Sequence, residues 1–298
     1  MRVSRRELTL RTPPFTPRRP RLRPRQCCSE TEFALERMIL FSALLLAYGG
    51  LANGNADLVA SLEAAYQDRG VVSSKTVAIA DLAAPLHYLD AGGSISKLVL
   101  FVHGAAFSAR TWQVLGSLDA LAGAGYRAIA IDVPGYGAQL SGAQKVHDNT
   151  LRRELLSRFL DAIGWRRPVL VVSASMGGTY ALPFVLSPGP YHVAGYLTAA
   201  GSTAALAGQR SAVPALFLFG DQDPRLAQDR APYESAFARS QTIVFANAPH
   251  PCYLRDVAAA HEFVDLLLEF AGGNAVHQLD ESPKVRAAWG DKERELSL

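Results

Sequence analysis

Residues 171–180, VVSASMGGTY, change within a few positions from an apolar run to a cluster of small residues. Ser175 lies in this cluster and is followed, after Met176, by Gly177 and Gly178. Consecutive glycines weaken a strand or a helix, but they suit a sharp turn in which two backbones approach closely. The stretch therefore predicts a strand that turns abruptly into a helix, with Ser175 at the turn.

Apolar, strand-like runs alternate with helical stretches on both sides of this turn. Runs such as KLVLFV and ALFLF are short and wholly apolar, which is typical of a parallel sheet covered on both faces. The alternation predicts an α/β fold with a mostly parallel, twisted sheet of about eight strands and helices on both faces. The predicted strands are 71–79, 86–90, 97–102, 127–132, 169–172, 193–198, 215–219 and 242–246, and the predicted helices are 109–124, 149–163, 176–186, 229–239 and 256–270.

Composition excludes some classes of partner. The 298-residue chain is 49% hydrophobic, as expected of a folded protein with a substantial core. Its net charge of +3 is uneven, because residues 1–37 hold ten Arg and four Glu and leave residues 38–298 at about −3. This body offers no basic patch for phosphates, so we expect no nucleic-acid partner. The sequence also has no metal-ligand cluster or phosphate-binding glycine loop, so we expect neither a metal nor a bound cofactor.

Differences in composition along the sequence divide the chain into five segments. The leader is rich in Arg and Pro without hydrophobic periodicity, and we expect it to be disordered. The apolar run after it ends in the small residues ANG and predicts a signal peptide or membrane anchor, hence a secretory or membrane-anchored protein. An organelle transit segment is the alternative, with an organellar or cytoplasmic location. The parts are 1–37 leader, 38–54 signal peptide or anchor, 55–70 linking helix, 71–272 α/β domain and 273–298 polar tail.

The turn at Ser175 has the pattern of a nucleophile elbow, G-x-S-x-G, with Ser173 in place of the first glycine. Enzymes with this elbow carry an acid and then a histidine at the ends of later strands. The loop GDQDP follows one predicted strand and offers Asp221 or Asp223, and NAPH follows the last strand and offers His250. Spacing alone leaves the choice between the two aspartates open.

The chemistry requires each of these groups. A serine hydroxyl becomes a nucleophile when a base such as His250 takes its proton, and an acid orients that imidazole. Backbone N–H groups must then stabilise the oxyanion. The predicted donors are Met176, directly after the nucleophile, and Ala105, in the loop HGAA.

Three other residues are of types that take part in catalysis. His103 is expected to shape the oxyanion loop, since it precedes the serine in the chain. Asp132 is expected to hold its loop at a strand end. Cys252 is an alternative nucleophile, but it lacks an elbow, and we expect it to pack in the core.

Residues 75–270 resemble the α/β-hydrolase superfamily, and within it the abhydrolase domain-containing protein 14 family. The resemblance lies in HG with FSARTWQ, AGYRAIAIDVPGYG, SASMGG with YALPF, GDQDP, and HPCYL. It implies that Ser175 is the nucleophile, His250 the base and Asp223, rather than Asp221, the acid. A serine at the first elbow position, as at Ser173, is also similar to this family.

These observations lead us to expect a serine hydrolase that cleaves an ester, amide or thioester acyl bond through an acyl-enzyme. Water is the expected acceptor, and the resemblance raises coenzyme A as another. About 16 residues separate the predicted strands 193–198 and 215–219, too few for a large cap domain, so we expect an open site for a small acyl substrate or an acylated macromolecule.

The sequence is also compatible with an alternative function and disfavours another. A protein-interaction module of hydrolase fold, binding a protein partner with little or no turnover, is the alternative. An epoxide hydrolase or dehalogenase is disfavoured, because those relatives carry Asp where Ser175 stands.

Overall fold

The computed structural model describes residues 72–93, 97–136, 145–146, 149–203, 206 and 208–273. The leader, the signal peptide or anchor, the linking helix and the tail from residue 274 lie outside these residues and stay predictions. Among the helices within the described ranges, none is long and apolar enough to cross a bilayer.

The described residues form one eight-stranded sheet with strand order 1-2-4-3-5-6-7-8. The first two strands pair antiparallel with their neighbours, and all later pairings are parallel. This confirms the predicted mostly parallel sheet. The strands are β1 Ser73–Val77, β2 Leu86–Asp90, β3 Leu98–Val102, β4 Arg127–Ile131, β5 Val169–Ala174, β6 Val193–Ala199, β7 Ala215–Gly220 and β8 Ser240–Phe245.

Helices cover both faces of the sheet, as predicted. Side chains of β3 alternate between two apolar clusters, with Phe101 in one and Leu100 in the other. Trp112, Leu118 and Phe263 bring α1, α2 and α6 to the first cluster, and the other three helices contribute to the second. The helices are α1 Ala109–Val114, α2 Ser117–Gly123, α3 Asn149–Ala162, α4 Gly178–Leu186, α5 Leu226–Ala236 and α6 Val257–Ala271.

The prediction of one helix over residues 109–124 is wrong. The chain forms α1 and α2 instead, and Gly116 separates them with a φ of 74°. This left-handed conformation ends a helix, and glycine adopts it without the steric cost that a Cβ would add. The apolar pattern continued through the break because both helices pack on the same face of the sheet.

The helix predicted at 229–239 lies three residues earlier, as α5. It begins at Leu226, separated from GDQDP by one residue, and the N–H of Leu226 donates to the carbonyl of Asp223 (3.0 Å). It ends because Phe237 becomes extended and bridges Ser211. The acid loop is therefore tied to the start of a helix.

Candidate active site

Ser175 lies at a turn that begins where β5 ends. Its backbone has a φ of 47°, in the left-handed region that a residue with a Cβ rarely adopts. Residues Ser175–Gly177 form a 3₁₀ turn, and α4 follows at once. The prediction of a single helix from residue 176 is corrected to this extent. A strained serine at the carboxyl edge of the sheet has the geometry of a nucleophile elbow.

Gly177 permits this sharp turn. A Cβ at Gly177 would lie 2.5 Å from the carbonyl oxygen of Val102 and 2.8 Å from that of His103. Both carbonyls belong to the backbone at the end of β3, which cannot give way without disturbing the sheet. A larger residue would therefore push the turn away from the neighbouring strand.

Ser173 occupies the position where the common elbow pattern has glycine. Its side chain is fully buried and hydrogen-bonds the hydroxyl groups of Tyr196 (2.8 Å) and Thr198 (2.9 Å) on β6. Buried hydroxyl groups need such partners, since an unsatisfied one costs about 1–3 kcal/mol. The serine thus fits because the adjacent strand supplies hydroxyl groups that complement it.

His250 joins Ser175 to Asp223. Its Nε2 lies 2.8 Å from Ser175 Oγ, and its Nδ1 lies 2.6 Å from Asp223 Oδ2. The Asp223 side chain is almost wholly buried, and the imidazole is 21% exposed. The fold brings together three residues that are 75 and 27 positions apart in the chain.

The two aspartates of the GDQDP loop have different surroundings. Asp223 accepts from His250 with one oxygen and from the backbone N–H of Arg225 with the other (3.0 Å). Asp221 accepts from the backbone N–H of Ala248 (3.1 Å), which links its loop to the segment before His250. The carboxylate that contacts the imidazole is that of Asp223.

The loop expected to form the oxyanion site passes beside Ser175. A Cβ on Gly104 would lie 3.5 Å from the Cβ of Ser175. The carbonyl of Gly104 accepts from His103 Nδ1 (2.7 Å) and from the N–H of Phe107 (3.0 Å). Because a trans peptide directs its C=O and N–H to opposite sides, the N–H of Ala105 points away from these donors.

His103 is neutral in this loop. Its Nε2 accepts from the N–H of Val133 (2.9 Å), so the ring proton is on Nδ1, which donates to Gly104. Burial lowers the pKa of His103, against the opposing effects of the Gly104 carbonyl and Asp132. The position of His103 fits its predicted role in shaping the loop.

Asp132 belongs to a second group of polar side chains, with His87 and Ser74, on the other side of β3. It accepts from the N–H of Ala109 at the start of α1 (2.7 Å) and lies 2.8 Å from Nδ1 of His87. Nε2 of His87 is 2.8 Å from Oγ of Ser74, so another Ser–His–Asp chain exists here. Sequence analysis missed it, because Ser74 has no elbow; this serine lies on an extended edge strand. In the described part of the chain, no group of three or more His, Cys, Asp or Glu is placed to hold a metal ion.

Cys252, the alternative nucleophile, lies two residues beyond His250 and is fully buried. Burial raises the pKa of its thiol to about 12. The thiolate is the nucleophilic form of cysteine, so this side chain is unreactive at neutral pH.

Arg225 is a site residue that sequence analysis missed. Its Nη2 lies 2.7 Å from both ring nitrogens of His250 and donates to the carbonyl of Ala200 (3.2 Å). The only sequence signal is its position two residues after Asp223, in the loop that carries the acid.

Comparison with known proteins identifies the family. Residues 99–294 match the model of the α/β-hydrolase family. The human protein named "Putative protein-lysine deacylase ABHD14B" is 37% identical over 172 residues, covering 56% of this chain and 80% of the relative. Protein ABHD14A of Danio rerio is 35% identical over 176 residues, covering 58% of this chain and 63% of the relative.

Solved structures have the same fold. A "predicted CIB-like hydrolase" from Thermoplasma acidophilum aligns with a TM-score of 0.58 and 20% identity, over 67% of this chain and 97% of that one. Carboxylesterase CesB from Bacillus subtilis aligns with a TM-score of 0.56 and 13% identity, over 79% and 98%. The chain belongs to the α/β-hydrolase family and, within it, to the ABHD14 family.

Proposed function

We propose that this hydrolase is a serine hydrolase that cleaves ester, amide or thioester acyl bonds through an acyl-enzyme. Ser175 is the nucleophile, His250 the general base and Asp223 the acid. The observation that carries the proposal is the continuous hydrogen-bonded chain from Ser175 Oγ through both ring nitrogens of His250 to the buried Asp223. The left-handed backbone of Ser175 supports it, because an elbow exposes the hydroxyl group at the edge of the sheet.

In the first step, Ser175 Oγ attacks the acyl carbon and its proton passes to Nε2 of His250. Asp223 accepts from Nδ1, which fixes the tautomer and stabilises the imidazolium. The N–H groups of Met176 and Ala105 stabilise the oxyanion. The leaving group then departs with the proton from His250. An acceptor attacks the acyl carbon of the acyl-enzyme with His250 again as the base, the bond from the acyl carbon to Ser175 Oγ breaks, and Oγ takes the proton back from His250.

Water is the acceptor in the hydrolytic reaction, and a thiol such as coenzyme A is the alternative. The relatives named as protein-lysine deacylases favour an acylated macromolecule as the natural substrate. The short connection between β6 and β7, residues 200–214, favours an open site and small acyl groups. Acetyl esters should thus react at least as well as long-chain esters. Strong selectivity for the long chains would contradict the small-acyl proposal.

A fluorophosphonate probe tests the nucleophile. We expect Ser175→Ala to abolish labelling and to reduce kcat on p-nitrophenyl acetate by about 10⁴–10⁶, because the hydrolysis then lacks its covalent step. Circular dichroism should report a retained fold. Labelling of the variant at the wild-type rate would disprove the assignment.

Ser74→Ala is the matched control, since Ser74 has the same histidine and aspartate geometry without an elbow. This variant should label like the wild-type protein. Absence of labelling in folded wild-type protein would favour the protein-interaction module instead.

A further inference from the structure

Arg225 contacts the proposed base in an unusual way. One atom, Nη2, is 2.7 Å from both Nδ1 and Nε2 of His250. The in-plane directions of these nitrogens diverge, and they are occupied by Asp223 and Ser175. A single atom cannot lie within 2.7 Å of both nitrogens in the ring plane, so Nη2 lies above one face of the imidazole.

The Nε of Arg225 lies near two carboxylates but hydrogen-bonds neither of them. Its Nε is 3.8 Å from Asp223 and 3.9 Å from Asp229, distances much longer than those of a close ion pair. Both carboxylates are buried and have closer partners, which are His250 for Asp223 and Thr203 for Asp229 (3.1 Å). The Arg225 side chain is 40% exposed, so a molecule from solvent can reach it.

The position of Arg225 places it near the leaving group of the substrate. In the proposed reaction, the bond between the acyl carbon and the leaving atom breaks, and the leaving atom takes the proton from Nε2 of His250. The leaving group must therefore lie within hydrogen-bond reach of the ring that Arg225 contacts. A substituent on that group can contact the guanidinium.

We propose that Arg225 is a specificity-determining residue that binds an oxyanion group, carboxylate or phosphate, on the leaving-group side of the substrate. A guanidinium binds such groups with two parallel N–H···O bonds. The inference rests on the proposed acyl-transfer function and specifies its substrate class. When the substrate is an acylated lysine, the leaving group is the side-chain amine, which carries no carboxylate or phosphate. A peptide substrate would therefore need an acidic residue near the acylated lysine.

Three esters with the same acetyl group test this inference. They are 3-acetoxybenzoate, 3-acetoxyphenyl phosphate and the uncharged 3-acetoxybenzamide, and the measured quantity is the ratio of kcat/KM for each anion to that for the amide. We expect the wild-type ratio to exceed that of Arg225→Gln by about tenfold, the effect of one charge-assisted contact. Arg225→Lys should retain part of the ratio, and salt should lower the wild-type ratio. A preference for only one of the anions would identify the group that Arg225 binds.

Arg230→Gln is the matched control. Arg230 lies in α5, the helix that begins directly after Arg225, and it pairs with Glu234 without a hydrogen bond to His250, so its loss should leave the ratio unchanged. A purely structural role of Arg225 would change kcat/KM for all three esters by the same factor. That result, or a wild-type enzyme without preference for either anion, would overturn the inference. The proposed function is tested separately: if Ser175→Ala loses all activity while Arg225→Gln shows no change in the ratio, the proposed function is supported and the inference about Arg225 is wrong.

Discussion

The backbone of Ser175 is a strained element of the site. A φ of 47° places its Cβ close to the carbonyl groups of its own turn, at a cost of about 1–2 kcal/mol. Glycine adopts this conformation freely, although it loses more entropy on folding. We expect Ser175→Gly to be more stable than Ser175→Ala by about 1 kcal/mol. Both variants lack Oγ, so the comparison isolates the backbone.

Urea unfolding of the two variants measures this difference. Equal stabilities, or a less stable glycine variant, would mean that the turn carries no strain. In the proposed reaction this strained turn presents the hydroxyl group to His250 and to the substrate.

At the scale of elements, the buried Asp90 links three strands at the antiparallel edge of the sheet. Asp90 at the end of β2 is bound by Lys75 from β1 (2.7 Å) and Arg127 from β4 (2.8 Å) and accepts from the N–H of Gly92 (2.9 Å). Burial by itself would raise the pKa of Asp90, but these hydrogen bonds outweigh it and lower the pKa to about 2.

Because the pKa of Asp90 is lowered by folding, the free energy of unfolding falls as the pH falls in the acidic range. The ionised Asp90 contributes fully above its unfolded pKa, near 4, and the contribution is lost as the pH falls through its folded value of about 2. We expect the wild-type protein to lose about 2 kcal/mol of unfolding free energy from this group between pH 5 and pH 2. Asp90→Asn should lack that part of the pH dependence.

Urea unfolding of both proteins between pH 2 and pH 5 measures the contribution of Asp90 to the free energy of unfolding. Asp81→Asn is the control, because the Asp81 side chain is 73% exposed and its pair with Arg158 should contribute little. The same acid dependence in Asp90→Asn as in the wild-type protein would contradict the role of Asp90.

At the scale of the whole molecule, residues 72–273 contain the eight-stranded sheet, both apolar clusters and the three proposed catalytic side chains. A chain shortened to residues 57–273 should therefore fold cooperatively. It should react with a fluorophosphonate at the rate of the full chain, since the reactive geometry depends on residues within this range. Failure to fold, or a much slower reaction, would show that the leader or the tail supports the domain.

Much of this architecture was predictable, because it depends on local patterns. The strands are short apolar runs, and the turn at Ser175 is marked by small residues on both sides. The helix boundaries were less predictable where tertiary contacts end a helix, as at Phe237, or where both sides of a break pack alike, as at Gly116.

The fold class and the order of serine, aspartate and histidine along the chain could be predicted without coordinates, since both follow from periodicity and from residue types at strand ends. Residue spacing left Asp221 and Asp223 as alternatives and gave no contact for Arg225; in the folded chain Asp223 faces the imidazole and Arg225 lies against it. The reason is that β7 and β8 pair in parallel, so the loops after them meet. Contacts between side chains 25 residues apart leave no trace in local patterns.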